Sequence, residues 1–207
     1  MIILDANIIK GISLRGPVAD VLRTIRAASV ERVATPWIAV EEVAAQEALR
    51  YREKHDEAKA AVDVLRKATP WADVPHPKRW PAEHVRRHWR EQYGSITDVM
   101  ETSADAYKQA MYRETNLIAP CKTVNNGKDK TGARDAAIWL TAVEYAAAHA
   151  DELVYFVSND ASATSTAAST TSLTKNSPGS GRTTTNSRNA PAPAAALCCC
   201  WAGTARS

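Results

Sequence analysis

Residues 1–10 read MIILDANIIK. Ile2-Ile3-Leu4 is a short run without a polar member, the form of a strand buried on both faces in a parallel sheet. Asp5 closes the run and Asn7 follows two residues later, so polar oxygens stand where a buried strand ends. The segment 153–160, LVYFVSND, repeats the form and ends on Asp160. A parallel sheet collects such strand ends at one rim, so two acidic strand ends in one chain point to a site there.

Working outward, Gly16-Pro17 opens a helix whose apolar positions Val18, Val21, Leu22 and Ile25 recur three or four apart. Residues 31–34 read as a second strand. Pro36 suits the first turn of a long helix that runs through Val40, Val43, Ala44, Glu47 and Tyr51 toward Ala68. Four prolines (70, 75, 77, 81) interrupt 69–95, and a helix is expected to resume after Pro81 and continue toward Arg113. Residues 121–134, CKTVNNGKDKTGAR, read as a polar loop. Asp135 to Ala148 read as a helix with Ile138, Leu140, Ala142, Val143 and Tyr145 on its apolar side, and Leu153 to Val157 as a buried strand. Strands alternating with helices predict an α/β domain with a mainly parallel sheet flanked by helices. The domain expected is 1–160, with an extended helical middle and a basic portion over about 69–115.

Hydrophobic residues make up 45% of the 207, enough for one globular core. The net charge of +3 is unevenly spread. Four of the 26 basic residues and none of the 23 acidic ones lie beyond Asp160, which leaves residues 1–160 at −1. Attraction to nucleic acid must then come from local patches rather than overall charge. After Asp160 the chain turns to Ala, Ser, Thr, Pro, Gly and Asn, too poor in large apolar residues to offset the entropy of ordering. Residues 161–207 are expected to be a disordered tail, whether a natural low-complexity segment or the product of a reading-frame change. The N-terminus lacks the charge and apolar pattern of a secretory signal. No run reaches the ~20 apolar residues of a membrane span. Cys121 and the adjacent Cys198, Cys199 and Cys200 make neither a disulfide framework nor a zinc pair. A cytoplasmic location is the expectation.

Asp5, Glu41 or Glu42 (after TPWIAV), Asp135 and Asp160 form the candidate constellation. Each has a bland reading: a strand-end turn for Asp5, a solvated helical turn for Glu41, a helix N-terminal carboxylate favoured by the dipole for Asp135, a turn or cap for Asp160. Together, carboxylates at one rim repel unless a cation lies among them. Mg²⁺ or Mn²⁺ takes such oxygen ligands while retaining water. The ion lowers the pKa of a bound water and steadies charge growing on phosphorus, so phosphodiester hydrolysis needs no His, Cys or Ser nucleophile. The five histidines show no ligand grouping with these acids.

At these residues the chain resembles the PIN-domain family of metal-dependent nucleases. The matching pieces are IILDANII, TPWIAVEEVAAQ, TGARDAAIWLTAVEYA and VYFVSND, in order over residues 1–160. The resemblance implies that Asp5, Glu42, Asp135 and Asp160 are the catalytic, metal-holding acids, that Asn7 and Ser158 support them, and that the reaction is cleavage of single-stranded RNA with Mg²⁺ or Mn²⁺. The long charged middle is similar to that of the larger bacterial members rather than the minimal toxin-type ones. The family continues past its fourth acid with an aromatic-containing turn, a helix and often a strand; here ASATSTAAST follows.

Two basic stretches are candidate RNA contacts. One runs from Lys78 to Arg90 and includes Arg79, Arg86 and Arg87 beside Trp80 and Trp89; charge with aromatic faces suits single-stranded bases. The bland alternative makes the tryptophans core anchors and the arginines a solvated face. The other is Lys128, Lys130 and Arg134, leading into Asp135. A small protein inhibitor and a second copy of the chain are further partners to consider; a membrane is not. Two rival functions stand beside the nuclease: a catalytically impaired protein of the same fold that binds RNA or protein, and a phosphatase-like enzyme with Asp5 as nucleophile. The latter usually carries a second Asp where this chain has Asn7.

Overall fold

A computed structural model describes residues 1–159 and the backbone of 197–201. The main sheet is entirely parallel, in the order β3 (Asp98–Met100), β2 (Val33–Pro36), β1 (Ile2–Leu4), β6 (Val154–Ser158), β7 (Leu197–Trp201). Strand β1 (Ile2–Leu4) is central, as its apolar run requires, between β2 (Val33–Pro36) and β6 (Val154–Ser158). Strand β2 is buried throughout and begins two residues later than expected. The α/β architecture with a mainly parallel sheet is the one the alternation predicts.

Helix α1 (Ala6–Lys10) follows β1 directly, with Asp5 as its N-cap. Helix α2 (Pro17–Ala28) has its proline at the first position, where the missing N–H costs nothing. Helix α3 (Trp37–Ala68) spans about 48 Å at 1.5 Å per residue. Its buried residues, Ala39, Val40, Val43, Ala44 and Ala48, all lie in the first half. The second half runs outward, and the proline-rich segment returns along it: Tyr51 Oη donates to Lys78 O (3.3 Å) and accepts from Trp80 N (2.9 Å), while His55 Nε2 lies 3.1 Å from Pro77 O.

The helix expected over 82–113 is two helices with a strand between. Helix α4 (Ala82–Gly94) stops at Gly94-Ser95, β3 (Asp98–Met100) extends the sheet edge, and α5 (Ala104–Thr115) restarts from Ser103, whose hydroxyl accepts from Ala106 N at 2.9 Å. The polar loop 121–134 is a hairpin of β4 (Lys122–Val124) and β5 (Asp129–Thr131). Its turn holds Asn125, Asn126 and Gly127 at positive φ, which these residue types tolerate best. Helix α6 (Ala133–Ala148) is the most deeply buried, with Ala136 to Ala142 all in the core. Of the segment 161–207, Leu197–Trp201 is described, as β7 alongside β6; the rest lies outside the described residues. Among the described residues no helix is long and apolar enough to cross a membrane.

Candidate active site

From β1 the sheet grows one way through β2 and β3, and the other way through β6. The direction reverses between β1 and β6, and in open α/β sheets ligands bind beyond the strand C-termini at such a point. Leu4 pairs with Val157 in register, and Asp5 N donates to Val157 O at 3.0 Å, so Asp5 and Ser158 leave the sheet side by side.

Both oxygens of Asp5 are held. Oδ1 accepts from Ala6 N and Oδ2 from Ser158 Oγ, each at 2.6 Å. The turn that Asp5 could make on its own is therefore present, and a second, long-range bond is added to it. Ser158 is 1% exposed. It accepts from Asn7 Nδ2 (3.4 Å), and Asn7 Oδ1 accepts from Asn159 N (3.1 Å), which ties α1 to the end of β6. Each Asp5 oxygen keeps a further lone pair.

Glu42, in the second turn of α3, and Asp135, in the first turn of α6, line one cavity of about 170 Å³ with Asp5, Asn7, Lys10 and Gln46. Burial pushes the Asp5 carboxyl above its ordinary value. The bonds from Ser158 and Ala6 pull it back, and the neighbouring carboxylates of Asp135 and Glu42 push it up again. Glu42 Oε1 accepts from Gln46 Nε2 (3.0 Å) and lies 3.5 Å from Arg134 Nη1. Glu41 turns away: Arg90 Nε and Nη2 grip its two oxygens at 2.5 and 2.9 Å. Of the adjacent pair, Glu42 faces the cavity.

Gly132 positions Asp135. Its φ of +117° is a conformation that disfavours any side chain, and an added Cβ would lie 2.8 Å from Cys121 Cα. The close approach of backbone to backbone sets the first turn of α6 at the cavity.

The donor set of the cavity fits a hydrated divalent ion. Three carboxylates from three elements surround it, and Gln46 Oε1 is buried there without a hydrogen-bond partner among the described residues. Hard oxygen donors of this kind suit Mg²⁺ or Mn²⁺. Among the described residues, no three His, Cys, Asp or Glu side chains are drawn together as a ready-made cage. Mg²⁺ commonly keeps several waters and needs only one or two carboxylates directly. Asp160 lies outside the described residues.

The basic candidates divide. Arg134 reaches the cavity through Glu42. Lys130 Nζ, on the hairpin, donates to Thr115 O at the end of α5 (2.5 Å), and Lys128 is exposed at the hairpin turn. Arg86 pairs with Glu83 and Arg87 contacts His84 Nδ1 (3.2 Å); Arg79 and Arg86 border a separate recess with Trp80. Trp80 is exposed and stacks on His84, whereas Trp89 is half-buried against the core. Lys10 and Gln46 went unread in the sequence. Gln46 lies one helical turn beyond Glu42, a spacing that places both on one face; Lys10 ends the helix that Asp5 begins.

A family model described as PIN domain matches residues 2–163. No curated protein and no solved structure matches the chain.

Proposed function

Because the chain belongs to the PIN-domain family, whose members are generally nucleases acting on RNA, we propose that it is a divalent-metal-dependent endoribonuclease that hydrolyses single-stranded RNA. The observation that carries the proposal is the Asp5 carboxylate, braced by Ser158 at the sheet's switch point and sharing one cavity with Glu42 and Asp135.

Asp5, Glu42 and Asp135 would hold Mg²⁺ or Mn²⁺, with Asp160 as a fourth acid. When bound, the ion activates water and offsets the charge developing on phosphorus. The chain's own residues prepare the place. Ser158 and the Ala6 amide fix the Asp5 oxygens, and Asn7 fixes Ser158. Gln46 and Arg134 steady Glu42. Lys10, at the cavity wall, offers an ammonium to a substrate phosphate.

Asp5→Asn and Asp135→Asn are each expected to abolish EDTA-sensitive cleavage of single-stranded RNA with circular dichroism unchanged. Cleavage equal to that of the parent would reject the assignment. That no three such side chains are drawn into a cage among the described residues favours one rival, a PIN-like protein that holds RNA without cutting it. Binding without cleavage across Mg²⁺ and Mn²⁺ selects that rival. A small protein inhibitor and self-association remain proposals for partners.

A further inference from the structure

We propose that a basic groove next to the carboxylate cavity is the track for the nucleotides flanking the cut site of a single-stranded RNA; this rests on the nuclease reading above. The groove, about 750 Å³, lies between the loop after α1 and the facing sides of α2, α3 and α4. Lys10 borders both it and the carboxylate cavity, so the two are neighbours with one wall residue in common.

The lining is strongly asymmetric in charge. Lys10, Arg15, Arg23 and Arg50 border it against one carboxylate, Glu47. Arg23 is engaged, donating to Asp20 (2.9 Å) and to Leu14 O (2.8 Å), and so shapes the loop. Lys10 and Arg15 are exposed and make no ion pair among the described residues. Arg50 is 72% exposed, with Glu47 no nearer than 3.8 Å. Three cations are thus available to phosphates.

Aromatic rings interleave with them. Trp89 borders the groove, stacked on Tyr93 at 5.8 Å and meeting the exposed His88 edge-on at 5.8 Å. Arg50, His88 and Trp89 also border the next recess, which adds Tyr51, Trp80 and His84. Cations alternating with ring faces match a chain of phosphates and unstacked bases. An acidic protein segment would satisfy the charges but would leave the rings unused.

The test uses the full chain in EDTA with a fluorescein-labelled single-stranded RNA of mixed sequence, read by anisotropy across a salt series. Arg15→Gln with Arg50→Gln removes two phosphate contacts. The log–log salt slope is expected to fall by about 1.4, and affinity to drop about 25-fold near 0.1 M salt. Lys59→Gln with Lys67→Gln, roughly 14–25 Å beyond Arg50 along α3, is the control expected to change neither. An unchanged slope and affinity in the groove variant, or no binding by the parent at low salt, overturns the proposal. Cleavage surviving in Asp5→Asn defeats instead the assignment of the cut to the carboxylate cavity, and leaves the groove standing if its charge still governs binding.

Discussion

Ser158→Ala offers the sharpest probe of how the site is held. The hydroxyl is 1% exposed and donates to a carboxylate oxygen at 2.6 Å. A hydrogen bond to a charged group contributes ~1.5–3 kcal/mol, and its loss leaves a partly buried oxygen short of a donor. For a domain of this size ~1 kcal/mol shifts Tm by about 2–4 °C, so a fall of about 3–12 °C is expected. The pH dependence has a definite sign. The Ser158 bond favours ionised Asp5, so its contribution is full where Asp5 is charged and shrinks as pH falls through the Asp5 pKa. Burial, with Asp135 and Glu42, lifts that pKa above the ordinary 3.8, so the shrinkage begins at higher pH than for a free carboxylate. Below it a neutral bond of ~0.5–1.5 kcal/mol remains. Urea melts followed by tryptophan fluorescence in EDTA, in a series from near pH 7 down to where Asp5 is protonated, measure both ends. A cost below ~0.5 kcal/mol at neutral pH, or one that is equal at both, would refute the reasoning.

Other outcomes follow from the same geometry. The raised pKa of Asp5 means that its contribution to the metal-free fold is greatest at low pH and is lost as pH rises through it. Asp5→Asn in EDTA should therefore melt no lower than the parent near neutrality. Mg²⁺ or Mn²⁺ at about 100 times Kd should stabilise the parent by ~2.7 kcal/mol and the variant by far less, as calorimetry would read. Glu41→Gln should cost about 1 kcal/mol through Arg90 and spare cleavage, whereas Glu42→Gln should do the reverse; paired melts and RNA assays separate them. Gly132→Ala forces a side chain to φ +117° and into Cys121, with an expected cost of ~1–3 kcal/mol and a smaller divalent-ion shift in Tm.

Much of the site was legible because its residues end or begin elements. Asp5 closes a buried strand and Asp135 opens an apolar helix, and such positions show in sequence as an abrupt change from apolar to polar; Ser158 was named only through the family resemblance. Glu41 and Glu42 were harder, since adjacent helical residues point about 100° apart and only the packing of α3 selects between them. The strand β3 hid inside an expected helix because its three residues carry an edge Asp and no apolar run. The hairpin hid because Lys122–Val124 and Asp129–Thr131 are exposed and mostly polar. The groove had no signature in any one stretch: Arg15 follows α1, Arg50 lies on α3 and Trp89 on α4, and only the fold sets them around one hollow.

The bond between Ser158 and Asp5 joins residues 153 positions apart. At about 5–20 residues per second, roughly 8–30 s of translation separates their synthesis. During that interval a growing chain carries its first acid without the brace that orients it. The cavity wall is completed only when β6, which carries Phe156 and Ser158, has been made and docks beside β1.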